Sequence, residues 1–181
     1  IYIAINSGHP FETAIITGNK VKNIYYTDTE VSHGIAVFGL SSATPKKGSV
    51  VIHGNEVEEV GIPIDPANPA LTAAQGRPII VGTIDGAIIT NNKVRNIKTL
   101  GSIGISTGVS VPQFIDDSVV NGNIVEGYFQ IGIFDRNTDV NSSHICSSNV
   151  VDLLSTQPFI SGAQTGIHTD LAETSANNIN V

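Results

Sequence analysis

Two short segments hold most of the side chains in this chain that could act on a ligand. "FQIGIFDRNTD" carries Phe134, Asp135, Arg136 and Asp139, and "QTGIHTDL" carries His168 and Asp170. A ring face, a guanidinium, an imidazole and several carboxylates make a set suited to a sugar. Phe134 would stack on the ring and Arg136 would meet a hydroxyl or carboxylate. His168 with Asp170 would supply an acid and a base, and Asp135 and Asp139 add the paired carboxylates that glycoside cleavage uses. "QFIDDSVV" (Asp116, Asp117) offers a further acidic pair, although acidic residues entering a strand are also ordinary turn residues. The two segments share a frame: Gly-Ile-Phe-Asp-Arg in one, Gly-Ile-His-Thr-Asp in the other. Something in the fold must hold those frames side by side.

That something is an internal repeat. Aligned on one asparagine, the copies read "IITGNKV" (Asn19), "VIHGNEV" (Asn55), "IITNNKV" (Asn92), "VVNGNIV" (Asn123) and "ICSSNVV" (Asn149), with "TSANNI" placing Asn177 in the same column. The intervals are 36, 37, 31, 26 and 28 residues, so a fixed core carries connections of variable length. Between copies lie Gly-Ile strands: "SHGIAVFG", "GSIGISTG", "FQIGIFDR" and "QTGIHTDL", with "RPIIVGTI" and "IYIAINSG" as looser members. Ile and Val dominate the apolar residues, glycine and asparagine are plentiful, and no helical periodicity interrupts them. Each copy is a set of short strands with an apolar face that only the next copy can cover, the logic of a solenoid. The asparagine, at a corner between two strands, is expected to take the left-handed or bridge conformation it tolerates and to bond to its equivalents above and below.

Strand alternation makes the faces readable. With Ile35, Ile105, Ile133 and Ile167 pointing inward, the next residue points out, the one after in, and the third out. The first outward column is then Ala4, Ala36, Ile80, Ser106, Phe134 and His168, and the second is Asn6, Phe38, Gly82, Gly108, Arg136 and Asp170. Phe134, Arg136, His168 and Asp170 become one patch on neighbouring turns.

The repeated asparagine with Gly-Ile strands between resembles the right-handed parallel β-helix of the pectin-lyase-like superfamily, over essentially all 181 residues. The resemblance implies an all-β, single-stranded parallel β-helix domain spanning 1–181, with an asparagine ladder. About six turns would stand roughly 29 Å tall at the usual ~4.8 Å per strand. It implies a carbohydrate-binding or polysaccharide-degrading protein like a phage tailspike depolymerase, a hydrolase or a lyase, working as a homotrimer outside the cell or on a virion. The alternative is a non-catalytic structural or adhesive solenoid of a surface or phage fibre, because this architecture hosts both. "DD" and "NTD" also look like two motifs of polygalacturonase-type hydrolases. Their order is reversed here, and the Gly-His-Gly and Arg-x-Lys that follow in that family are missing.

The remaining features narrow the classes. A net charge of −7 with no basic cluster beyond Lys46-Lys47 argues against nucleic acid. Cys146, the single cysteine, allows no internal disulfide and reads as a buried thiol in a strand. No apolar run reaches the roughly 18 residues of a membrane helix. No cofactor fingerprint is found, and His9, His33 and His144, read as lying in or near connections, are not paired at metal-ligand spacing, while His53 beside the asparagine corner reads as structural. Two Pro-bearing stretches, "GLSSATPKKGS" and "GIPIDPANPALTAAQGRP", read as long functional connections. There is no methionine, and "IYIAIN" and "NNINV" leave bare strand edges, so the chain is expected to be a segment of a longer one or to have its ends covered by other subunits.

Overall fold

A computed structural model describes residues 1–5, 13–25, 31–39, 46–65, 76–108, 115–135, 143–155, 163–169, 173–175 and 177–181. All regular structure among them is strand. The first eight strands are β1 (Tyr2–Ile5), β2 (Thr13–Thr17), β3 (Lys20–Tyr25), β4 (His33–Gly39), β5 (Lys46–His53), β6 (Glu56–Pro63), β7 (Arg77–Gly82) and β8 (Ile84–Thr90). Then come β9 (Lys93–Thr107), β10 (Ile115–Asn121), β11 (Ile124–Asp135), β12 (His144–Ser147), β13 (Val150–Leu153), β14 (Thr165–Thr169), β15 (Glu173–Ser175) and β16 (Asn178–Asn180). Every pairing is parallel. Six strands form one sheet in the order β15-β12-β10-β8-β5-β2, and ten form the other.

The ten-stranded sheet turns a corner. The first residues of β9 and β11 pair with each other alongside β6 and β13, and their last residues pair alongside β7 and β14. The coil thus has three sides in cross-section, an arrangement compatible with a parallel β-helix. Each side sends aliphatic residues inward in columns. One such column on the first is Ile35, Ile79, Ile105, Ile133 and Ile167, on the six-stranded sheet Ile16, Ile52, Ile89, Val120 and Cys146, and on the third Val21, Val57, Val94, Val125 and Val151. These columns meet in one core. β-Branched side chains suit such a half-buried pleated surface, and each fully buried one contributes about 1.5–3 kcal/mol.

The Gly-Ile signature has a steric cause. Both residues face inward where the chain bends from the third side onto the first, and a side chain on the glycine would strike the strand opposite. A Cβ on Gly34 would lie 2.5 Å from Val57 Cγ1, and one on Gly104 2.6 Å from Val125 Cγ1.

At the next corner the asparagines stack. Asn19, Asn55, Asn92 and Asn123 each donate a side-chain N–H to Oδ1 of the asparagine one rung on, all at 3.0 Å, and Asn149 donates to Asn177 at 3.1 Å. The same oxygen accepts the preceding asparagine's backbone N–H at 2.9–3.0 Å. From Asn55 onward the second amide hydrogen reaches a carbonyl of the rung before, such as Ile16 O at 2.9 Å from Asn55. One part of the sequence expectation needs correction: the left-handed conformation belongs to the residue before the asparagine. Gly18, Gly54, Asn91, Gly122 and Ser148 carry φ values of 65°, 63°, 54°, 65° and 55°. The turn is made by that residue, which leaves the asparagine free to serve as a hydrogen-bonding unit.

Candidate functional site

The outer face of the first side is set by strand register. Ala36, Ile80, Ser106, Phe134 and His168 are consecutive partners across β4, β7, β9, β11 and β14, and none belongs to the interior core. The head of that column differs from the sequence expectation. Tyr2 pairs with Ala36, and Ala4 pairs with Phe38, because β1 lies two residues out of the frame that "IYIAINSG" suggested. Exposure changes along the column. Ala36, Ile80 and Ser106 are fully buried although they point away from the core, Phe134 is half-buried and His168 is exposed. The face is therefore open at Phe134 and His168, whose ring centroids lie 5.0 Å apart with planes inclined by 35°. Together they form an aromatic ledge two rungs long. Arg136, Asp139 and Asp170 lie outside the described residues, as does the Asp116 side chain. Asp117 is exposed and accepts the Ser143 backbone N–H at 2.8 Å.

Asp135 is not part of this surface. Two residues past Ile133, it points into the coil and is fully buried, so alternation itself removes it from the outer face. There its carboxylate accepts from the Thr107 hydroxyl, from Ser118 Oγ at 2.9 Å and from His144 Nδ1 at 3.1 Å. His144 likewise sits in β12 and is buried, not in a connection. A serine, a histidine and an aspartate in contact invite comparison with a nucleophilic triad, and the geometry rejects it. Ser118 and Asp135 both meet the same imidazole nitrogen, Nδ1, with Ser118 Oγ 2.7 Å from it. The Ser118 hydroxyl proton points to the carboxylate, so no base stands ready to remove it. The cluster ties together the ends of β9 and β11, the middle of β10 and the start of β12. Nearby, burial and then the Asp135 charge push the Cys146 thiol up to about 12, which makes it a packing residue rather than a nucleophile.

Other sequence readings fare unevenly. His33 opens β4, where its ring meets Phe38 edge-on at 5.8 Å. His53 is exposed, with Nδ1 3.0 Å from Thr90 Oγ1. Of the two Pro-bearing connections, residues 40–45 and 66–75 lie outside the described residues, while Pro63 and Pro78 belong to β6 and β7. Sequence reasoning also missed a cleft of about 330 Å³ on the six-stranded sheet, lined by Ser49, Gly86, Ile88, Asp117, Val119 and Ser143. The outward aliphatic column Ile15, Val51, Ile88, Val119, Ile145, legible by the same alternation, was the available signal.

Comparison of the chain with protein-family models, curated proteins and solved structures gives no match.

Proposed function

We propose that the chain is a right-handed parallel β-helix of the pectin-lyase-like kind, built on a continuous asparagine ladder, and that the outer face of its Gly-Ile side binds polysaccharide as a tailspike-type protein does. The observation that carries this reading is the Phe134–His168 ledge, two tilted rings on successive rungs beyond the buried stretch Ala36, Ile80 and Ser106 of the column. Rings spaced by one strand repeat give a saccharide an apolar platform with a polar edge. In this reading Arg136 binds a sugar oxygen or a carboxylate, and Asp170 with His168 is the acid and base, with Asp139 as a further acid. The working form is a homotrimer outside the cell or on a virion.

A second reading is a non-catalytic adhesive or structural solenoid. The burial of Asp135 favours it, since one of the candidate acids is committed to holding strands together. Assays for reducing ends and for unsaturated products across a polysaccharide panel separate the two. On a matched oligosaccharide, Arg136→Ala and Asp170→Asn should each lower binding or turnover at least tenfold, about 1.4 kcal/mol. Unchanged behaviour in both variants, with no product from any polysaccharide, would leave the fibre reading.

A further inference from the structure

Two to three rungs from Phe134, roughly 10–14 Å along the coil at ~4.8 Å per strand, a second group of polar side chains lies on and beside β4 and β7. His33 and Arg77 are register partners, and Ser32 precedes His33 and accepts the Arg77 backbone N–H on its carbonyl at 2.9 Å. Ser32 Oγ, His33 Nδ1 and Arg77 Nε are all buried without a hydrogen-bond partner. Such atoms are few in native proteins, and each carries its full desolvation penalty when left unsatisfied. His33 and Arg77 are neighbours across β4 and β7 and Ser32 adjoins them, so one bound partner could satisfy all three.

The chemistry of that partner follows from what the three atoms offer. Arg77 Nε–H can only donate, and the serine hydroxyl and the imidazole can both do so. Among the described residues no carboxylate pairs with Arg77. Burial, and then the Arg77 charge, holds the His33 imidazole below its ordinary value, and burial also lowers Arg77. The Arg77 guanidinium thus stands without a carboxylate partner among the described residues, beside an imidazole that burial and the Arg77 charge hold towards its neutral form. A water molecule would satisfy a donor but would not relieve that local charge. An oxyanion does both, and the planar guanidinium presents its Nε–H and Nη–H as a fork to two oxygens. Phe38 borders the group through its contact with His33, and Tyr2, mostly exposed, lies 6.1 Å from Phe38 by ring centroids.

We propose that Ser32, His33 and Arg77 form an oxyanion-binding site, walled by Phe38 and Tyr2, for a carboxylate or sulfate group. The group is carried on a saccharide or is a free inorganic anion. The saccharide-borne case rests on the polysaccharide reading above, and the anion site itself does not.

The test follows the His33 imidazole by NMR in the full 181-residue chain at constant ionic strength set with chloride. Sodium sulfate, sodium glucuronate and glucose are added separately. The expected result is a saturable shift of the His33 resonances and a rise in its titration midpoint with the anions and not with glucose. Arg77→Gln should weaken anion binding at least tenfold, and Arg77→Lys, which keeps the charge but loses the fork, should weaken it less. Arg95→Gln, on the third side, should leave it unchanged. A response to sulfate alone assigns the site to inorganic anions, and a response to glucuronate assigns it to a sugar-borne carboxylate. Silence of His33 to both anions, or equal shifts in Arg77→Gln and the parent, would overturn the site. If polysaccharides fail to bind while sulfate still moves His33, the saccharide reading falls and the anion site stands.

Discussion

Two corners of the coil that bury polar side chains meet the same problem differently. At the asparagine corner one neutral side chain recurs on every rung, and each amide is satisfied by its own copy one rung on. At the corner where β9 and β11 end, three different side chains from two successive rungs converge on a single carboxylate. The first solution is periodic and extends with the coil. The second does not recur from rung to rung, is assembled from Thr107, Asp135, Ser118 and His144, and depends on Asp135, the acceptor that the other three share. Burying a neutral amide that is fully bonded costs little, whereas a buried carboxylate depends on every donor aimed at it.

The comparison breaks most visibly at Asp135. Asp135→Ala would leave the Thr107 and Ser118 hydroxyls and His144 Nδ1 facing a void, and should destabilise the fold by about 3–5 kcal/mol, the cost of removing one member of a buried charged group. Urea denaturation monitored by circular dichroism measures it. A loss below 1 kcal/mol would mean that the cluster is not tightly coupled and that Asp135 is free to serve elsewhere.

This difference also explains what the sequence made legible. Asparagines at 19, 55, 92, 123 and 149 are visible because the same residue returns beside the same Val or Ile, so spacing alone stacks them. Ile35, Ile105, Ile133 and Ile167 are visible for the same reason, and they fix the Phe134–His168 pairing. The Asp135 cluster has no repeat to reveal it. Ser118 and His144 occupy positions filled by Ala14, Val50 and Ala87 on other rungs, and only the inward parity shared with Val120 and Cys146 marks them. The same parity placed Asp135 inside, yet its acidic neighbours made it look like a surface acid. The Ser32–His33–Arg77 group was hidden for a related reason: its three residues come from two rungs with dissimilar sequences, and only coordinates show that their polar atoms lack partners.

The periodic corner gives a smaller and graded effect. Asn92→Leu removes the acceptor for both the backbone and side-chain N–H of Asn55 and should cost about 1–3 kcal/mol. Asn19→Leu, at the half-buried first position of the column, leaves every other asparagine its acceptor and should cost clearly less. Equal losses at the two positions, measured by thermal unfolding, would show that the column acts through corner geometry rather than through hydrogen bonds passed from rung to rung.

The smallest effect lies outside the coil, on the third side, where charge replaces burial. Lys20 meets Glu56, Lys22 meets Glu58, and Glu126 lies 3.5 Å from Arg95. Lys20, with a lesser part from Glu58, holds the Glu56 carboxyl down at about 2, below its ordinary 4.5. The sign follows from proton linkage. The unfolded chain takes up its proton on Glu56 first as the pH drops, so the stabilisation is whole above about 4.5 and is lost as the pH falls through 4.5 towards 2. Because Glu56 keeps about a third of its side chain in solvent, and Lys20 more than half, salt screens the pair and the net contribution is slight. Glu56→Gln should therefore flatten the acid limb of the stability curve a little at low salt and not at all in 0.5 M salt (about a 4 Å screening length), with no change at pH 7 beyond measurement error in high salt. A large loss at neutral pH that survives salt would mean that the outer charges are as tightly coupled as the Asp135 cluster, and the contrast between buried and surface polarity would collapse.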